Sequence, residues 1–283
     1  MKKKLFNLVG IGVLALGLVG CSGAKQNADK KTSEANESTS VKIGLVGANH
    51  DVWDFVKSKL EKEGIKIEFV EFSDYNQPNV ALVDKEIDLN SFQHQAFLDK
   101  FNQEKKANLV SIGDTVLAPL GIFSQKYDSV DQIPDKAQIA IPVDPTNQSR
   151  ALVLLQSAGL IKLDAKPGQL VTNKDIKENP KNLDIITVDA SQTARNLQDV
   201  AASCINNGYA VDAGFDPVKD SIFLEPVDEN SKPYINIIVA RPEDKDNEIY
   251  KKIVKAYQAD DTKKVIEETS KGASIPAWDG DLK

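Results

Sequence analysis

The stretch VKIGLVGANHDVWDFVKSKLEKEGIKIEFVEF, Val41 to Phe72, decides the fold class. Val41 to Val46 alternates toward an apolar strand. From Asp51 to Glu63, Val52, Phe55, Val56 and Leu60 recur at helical spacing, and Gly64 ends the helix. Ile65 to Phe72 sets Ile65, Ile67 and Phe69 against Lys66, Glu68 and Val70, the period-two pattern of a second strand. Outward from there the alternation continues. A short helix follows Pro78, Ile87 to Leu89 reads as a brief strand, a helix runs from about Ser91 to Gln103, and Ala107 to Ala118 is strand-like. A second unit carries strands at Ile139–Pro142, Ile185–Val188 and Ala202–Ile205, with helices at Asn147–Ala158, closed by Gly159, and at Ala194–Val200. A last strand, Ile235–Ala240, precedes two charged helices near Asp246–Gln258 and Asp261–Lys271. Strands alternating with helices predict an α/β architecture of two lobes with largely parallel sheets.

Ahead of this folded part, Lys2, Lys3 and Lys4 precede an apolar run from Leu5 to Val19 that ends in Leu18-Val19-Gly20-Cys21. A basic start, a short apolar core and small residues before a cut site describe an export signal. The run is too short and too rich in glycine for a comfortable bilayer span, which needs about 20 apolar residues. Its ending resembles the bacterial lipobox. Residues 1–20 are therefore expected to be a lipoprotein signal peptide, with Cys21 the lipidated first residue of the mature chain. An ordinary secretory signal with an incidental cysteine is the alternative, and either one places the protein outside the cytoplasm. Residues 21–40 are polar, with no large apolar side chain, and read as a flexible tether.

Removing the three N-terminal lysines from 35 basic residues leaves 32 against 42 acidic ones, a formal charge of −10. That balance argues against nucleic acid, which needs a basic footprint. With two histidines, and one cysteine left once Cys21 is lipidated, an intramolecular disulfide is excluded and a His/Cys zinc site nearly so. No G-x-S-x-G stretch accompanies His50 or His94, and nothing in the chain points to an enzyme.

Three constellations remain. The chain uses only three arginines, Arg150, Arg195 and Arg241, against 32 lysines. Arg150 follows Asp144-Pro145-Thr146-Asn147, with Thr146 or Asn147 as the expected N-cap, which would put a cation in the first helical turn. An anion shared with the free backbone N–H groups would satisfy it, and a ligand carboxylate fits. A salt bridge to Asp144 or another local acid is the alternative. A second group is aromatic: Tyr75 after the second strand, and Phe92, His94 and Phe97 at a helix start, where His94, Phe97, Leu98 and Phe101 share a helical face. These residues could wall an apolar pocket or simply pack the core. Third, Asn206 and Asn236 stand beside apolar stretches, where an amide must find partners in the protein or in a ligand.

Several longer segments carry a family resemblance. They are Asp74-Tyr75-x-x-Pro78-Asn79-x-Ala81-Leu82, Ile87-Asp88-x-Asn90-x-Phe92-Gln93-His94-x-x-Phe97-Leu98-Asp99 and Asp144-Pro145-Thr146-Asn147-x-x-Arg150-Ala151-Leu152, followed by Ala158 to Leu163, Glu178 to Leu183 and Tyr234 to Val239. In this order they resemble the MetQ/NlpA family, the lipoprotein substrate-binding components of methionine ABC importers. The resemblance implies a two-lobed periplasmic-binding-protein-like fold, type II-like, with a ligand cleft between the lobes and closure about a hinge. Lobe 1 would comprise residues 41–119 and a return segment, 233–283, and lobe 2 residues 120–232. It implies that Arg150 pairs with the ligand carboxylate with Asn147 nearby, that Asn206 and Asn236 hold the amino-acid head group, and that Tyr75, Phe92, His94 and Phe97 enclose a thioether. The implied partners are L-methionine, an ABC permease with its ATPase, and the membrane through a lipid on Cys21, with the protein a monomer on the extracytoplasmic face and no cofactor. A methionine derivative or a short methionine-containing peptide is the alternative ligand, and a surface lipoprotein without a transport role is the remote alternative. Trp53 and the loop from Gly47 to Val52 depart from the family pattern, so Trp53 either anchors its helix or reshapes the pocket.

Overall fold

The computed structural model describes residues 39–166 and 168–280. The expected signal peptide, Cys21 and the expected tether up to residue 38 lie outside the described residues. In chain order, β1 (Thr39–Val46), α1 (Asp51–Glu61), β2 (Ile65–Phe72), α2 (Pro78–Val83), β3 (Leu89–His94), α3 (Gln95–Lys105) and β4 (Val110–Leu117) build a first lobe. A second is built from β5 (Gly121–Phe123), β6 (Gln138–Pro142), α4 (Pro145–Ser157), the antiparallel pair β7 (Lys162–Leu163) and β8 (Ile176–Glu178), β9 (Asp184–Val188), α5 (Thr193–Asn196), β10 (Ala202–Ile205), α6 (Asn207–Asp212), α7 (Pro217–Asp220) and β11 (Ser221–Leu224). The chain ends with β12 (Ile235–Ala240), α8 (Glu248–Tyr257), α9 (Asp260–Ser270) and β13 (Ile275–Pro276).

Two sheets organise these elements, one in the order β13-β4-β12-β3-β1-β2 and one in the order β11-β5-β10-β6-β9. Each has a parallel centre and antiparallel additions. β1 runs parallel to β2 and β3, whereas β12 runs antiparallel to both β3 and β4. β6 runs parallel to β9 and β10, whereas β5 runs antiparallel to β10 and β11. The sheets are thus mixed rather than largely parallel. The chain crosses between them at residues 118–120 and again at 225–234.

Both faces of each sheet are covered. In the first lobe Ile43, Val56, Leu60, Ile67 and Ile253 join α1, α8 and α9 to one face, and Leu82, Ile87 and Leu98 join α2 and α3 to the other. In the second, Leu152 and Leu155 of α4 pack on Ile139, Ile141 and Cys204. Truncating a fully buried leucine in such a layer to alanine costs about 2–5 kcal/mol. Trp53 is buried in the first-lobe core with its ring 4.9 Å from Tyr257, so it anchors α1.

Three local differences from the sequence reading have physical causes. β1 starts at Thr39, two residues before the strand expected from Val41. Residues 89–94 form a strand rather than the start of a helix, and His94 is the N-cap of α3, its Nδ1 accepting the Phe97 N–H at 3.1 Å. β3 looks unlike a strand because its polar residues face inward. Asn90 and Gln93 are buried and bond to each other and to Asn79 at 2.6–2.9 Å, which satisfies them without water. Finally, α4 is capped by Asp144, whose carboxylate accepts the Asn147 N–H at 3.0 Å, with Pro145 in the first turn. Arg150 therefore lies in the second turn of α4, not the first.

Candidate functional site: a polar and aromatic cavity between the lobes

Tyr75, Phe92, His94, Phe97, Asn147, Arg150, Asn206 and Asn236 all line one cavity of about 180 Å³. Tyr75 comes from the loop after β2, Phe92 and His94 from the end of β3, Phe97 from α3 and Asn236 from β12, opposite His94 in the ladder. The second lobe supplies Asn147 and Arg150 from α4 and Asn206 from the start of α6. The cavity is smaller than the roughly 300–1,000 Å³ of drug-sized pockets, a scale that suits a single small metabolite.

A directed chain of hydrogen bonds runs along its polar side. Asn147 Nδ2 donates to both oxygens of the Asp144 carboxylate at 3.0 and 3.1 Å. That fixes the orientation of the amide and leaves Asn147 Oδ1 as an acceptor. It takes Asn206 Nδ2 at 2.8 Å and faces His94 Nε2 at 3.4 Å. Because His94 Nδ1 already accepts from Phe97, the imidazole proton sits on Nε2 and points at Asn147. Burial, then the nearby Arg150 guanidinium, push the His94 pKa down to about 3, so the ring is neutral. The chain ends at Asn206 Oδ1, a buried atom with no hydrogen-bond partner among the described residues. Asn206 occupies the N-cap of α6 yet makes no capping bond. An asparagine there ordinarily spends its oxygen on the helix N–H groups. Here that oxygen is left buried and unpaired on a residue that lines the cavity, at a cost of about 1–3 kcal/mol.

Arg150 is not free to act as a simple anion hook. Nε donates to the Glu225 carboxylate at 2.8 and 3.1 Å, Nη2 pairs with the same carboxylate, and Nη2 also donates to Ala118 O at 3.0 Å. The ion pair of the sequence reading thus exists, but with Glu225, 75 positions away, rather than with Asp144. Leu120 N–H donates to Glu225 Oε2 at 3.0 Å, and Glu225 N–H donates to Leu120 O at 2.9 Å. Ala118 and Leu120 lie in the first crossing between the lobes and Glu225 opens the second. Arg150 and Glu225 therefore fasten the two crossings together. The guanidinium also stacks over Tyr234, 4.5 Å from the ring centre. Nη1 makes no hydrogen bond to the described residues and remains available to the cavity.

The apolar side is a set of mutually packed rings. Phe92 and Phe97 stand edge to face at 5.8 Å, and Tyr75 lies 5.8 Å from Phe92 and 6.1 Å from Phe97. Tyr209 of α6 stacks on Tyr75 at 4.9 Å and adds a ring from the second lobe. Burial holds the Tyr75 hydroxyl well above its ordinary pKa, so the wall is uncharged.

Sequence reasoning missed Tyr209, Asp212 and Glu225. Tyr209 stands three residues after Asn206 and was within reach of that signal. The other two are ordinary acids whose roles exist only through tertiary contacts. The remaining arginines separate cleanly. Arg195 is exposed, whereas Arg241 is buried and donates to Leu82 O, Ile87 O and Asp244, which fixes the turn before β3. Cys204 is fully buried in the second-lobe core. Among the described residues no group of three or more His, Cys, Asp or Glu side chains is placed to hold a metal ion, and no helix is long and apolar enough to cross a membrane.

Comparison with known proteins agrees with this geometry. The chain is 40% identical over 281 residues to the D-methionine-binding lipoprotein MetQ of Salmonella typhimurium, covering 98% of this chain and 99% of that one. The crystal structure of the substrate binding protein of a methionine transporter from Streptococcus pneumoniae superposes with a TM-score of 0.81 at 47% identity, over 84% of this chain and 96% of that one. A nutrient binding protein from Burkholderia cenocepacia bound to methionine gives a TM-score of 0.80 at 43% identity, over 84% of this chain and 99% of that one. Residues 41–278 match the family described as NlpA lipoprotein, and with its two lobes and interlobe cavity the chain belongs to that family.

Proposed function

We propose that this chain is the substrate-binding protein of an ABC importer, that it captures methionine between its lobes, and that it does no chemistry of its own. The observation that carries the proposal is that Asn206, whose Oδ1 has no partner among the described residues, and Arg150, whose Nη1 is open, line the same cavity. A zwitterionic amino acid supplies what each lacks. Its ammonium donates to Asn206 Oδ1, and its carboxylate accepts from Arg150, with Asn147 and Asn236 beside the head group. The side chain then enters the wall of Tyr75, Phe92, His94 and Phe97. A thioether suits such rings, since sulfur–aromatic contacts add about 0.3–1.5 kcal/mol. A neutral His94 supports this placement, because a charged ring would oppose the apolar end of the ligand. The names of the relatives, which specify methionine and in one case its D form, favour this ligand over other small amino acids.

Around this site the reading extends to the rest of the chain. A lipid on Cys21 anchors a monomer to the extracytoplasmic face of the membrane, and the loaded receptor delivers its cargo to a permease driven by an ATPase. The test is a competition series with L-methionine, D-methionine, N-acetyl-L-methionine, L-methionine methyl ester and L-norleucine. The proposal expects the ester and the N-acetyl compound each to lose at least tenfold, because each removes one charged head-group partner. Equal binding by either derivative contradicts the head-group assignment.

A further inference from the structure

Three polar contacts between the lobes converge on one short helix, α6, whose residues also line the cavity. Asp212 accepts the Ala48 N–H on both carboxylate oxygens, at 3.3 and 3.4 Å. Asn207 Nδ2 donates to Ala273 O at 2.7 Å, and the Tyr209 hydroxyl donates to Ser73 O at 3.4 Å. Ala48, Ser73 and Ala273 all lie in first-lobe turns, after β1, after β2 and after α9. The first of these turns is built for the contact. Gly47 sits at φ +88, and a Cβ added there would stand 2.2 Å from Asp212 Oδ2. Glycine alone takes this backbone conformation at little cost and lets the carboxylate approach. The covalent links between the lobes are residues 118–120 and 225–234, so rotation about them separates α6 from all three turns. Asp212 also stands in the wall between the cavity described above and a second one of about 310 Å³ bounded by α1, α6, α7 and α9.

We infer that Asp212 and the Gly47–Ala48 turn form the latch that holds the lobes closed, so that Asp212 is a positioning residue governing how long the ligand is retained. The inference rests on the proposed role as a methionine receptor, but its mechanical part does not depend on the ligand. Two properties distinguish a latch from a residue that merely pairs with the ligand. It shifts the balance between open and closed protein in the absence of ligand, and its effect vanishes when the other half of the contact is spoiled.

The experiment uses the full chain in detergent, with Asp212→Ala, Asp212→Asn, Gly47→Ala and the Asp212→Ala/Gly47→Ala double variant. Stopped-flow chase gives the dissociation rate of L-methionine. Dyes on Lys62→Cys and Ser157→Cys, exposed positions one on each lobe, report the lobe–lobe distance, and Cys204 is too buried to label. Asp212→Ala should speed dissociation about tenfold, the scale of one hydrogen bond to a charged acceptor, and leave association within about twofold. It should also lengthen the ligand-free distance. Gly47→Ala should do the same, the double variant should be no worse than the more affected single one, and Asp212→Asn, which keeps an acceptor, should retain most of the parent behaviour. Independent, multiplying effects of Asp212→Ala and Gly47→Ala overturn the latch, as does an unchanged ligand-free distance in Asp212→Ala. If the parent protein fails to bind L-methionine, the proposed function falls on that result alone, and the ligand-free distances still decide the latch.

Discussion

Arg150 and Glu225 make opposite predictions for binding and the same prediction for stability. Replacing Arg150 with alanine removes its bonds to Glu225 and to Ala118 O, together with the stacking on Tyr234. The Arg150 side chain is 4% exposed and that of Glu225 15%, so a partly dried carboxylate is left against both crossings with only Leu120 N–H as a donor. Breaking a buried pair from one side costs about 3–5 kcal/mol, and the residual exposure of Glu225 places this case near 3 kcal/mol. Binding suffers separately. Loss of the partner of a ligand carboxylate costs about 2–5 kcal/mol, a fall of roughly 30- to 5,000-fold. Glu225→Gln also breaks the pair and should lower stability by a comparable amount. Yet it leaves the guanidinium uncompensated, so a ligand carboxylate should bind as tightly as before or tighter. Urea denaturation and calorimetric titration of the two variants measure both quantities. Arg150→Ala binding like the parent while folded would refute the carboxylate assignment. Equal weakening in both variants would mean that the pair acts only by holding the crossings together.

Other consequences concern the cavity walls and their support. His94, held neutral with its pKa down to about 3, contributes stability that is complete above about pH 6.5, the value for an unperturbed histidine. Below that pH the unfolded chain takes up a proton that the folded one refuses, so stability falls, by about 1.4 kcal/mol at pH 5.5. His94→Gln should flatten this slope in denaturation curves recorded between pH 7 and 4.5, and an unchanged slope removes His94 as its source. Asn79→Leu leaves Gln93 Oε1 without its donor and removes one of the two acceptors of Gln93 Nε2 and of Asn90 Nδ2, a loss of about 1–3 kcal/mol for the orphaned group. A thermal midpoint within a degree of the parent would show that the three amides are not a closed network. Phe97→Leu should narrow the preference for methionine over norleucine, because the sulfur loses one ring partner, and a preserved ratio would move the thioether elsewhere.

Much of the fold was readable because polarity and burial coincide in most strands. In β2 the buried Ile65 and Ile67 flank the exposed Lys66, and the segments Ala202–Ile205 of β10 and 237–240 of β12 are buried as their apolar runs predict. β3 broke the rule, since Asn90 and Gln93 are polar yet buried and satisfy each other through Asn79, a pairing no period reveals. β5 and β11 are three and four residues long, too short for periodicity to register. The cap of α4 is Asp144 rather than Thr146 or Asn147, because Pro145, whose fixed φ suits the first helical turn, already lies inside the helix. All eight nominated residues meet in one cavity, but the resemblance, rather than spacing, gathered them. What eluded the sequence is what joins its distant parts. Glu225 reaches Arg150 across 75 positions, and Asp212 reaches Ala48 only after the chain has crossed to the second lobe, and a lone acid carries no mark of such a partner.

The central claim is that the cavity accepts the head group and thioether of methionine. The most direct test is calorimetric titration of L-methionine into the full chain, purified in detergent and stripped of carried-over ligand by unfolding and refolding. The account predicts saturable binding with one site per chain, abolished or weakened at least 30-fold by Arg150→Ala. A folded protein that gives no heat with L-methionine, and whose thermal midpoint does not rise in its presence, contradicts it.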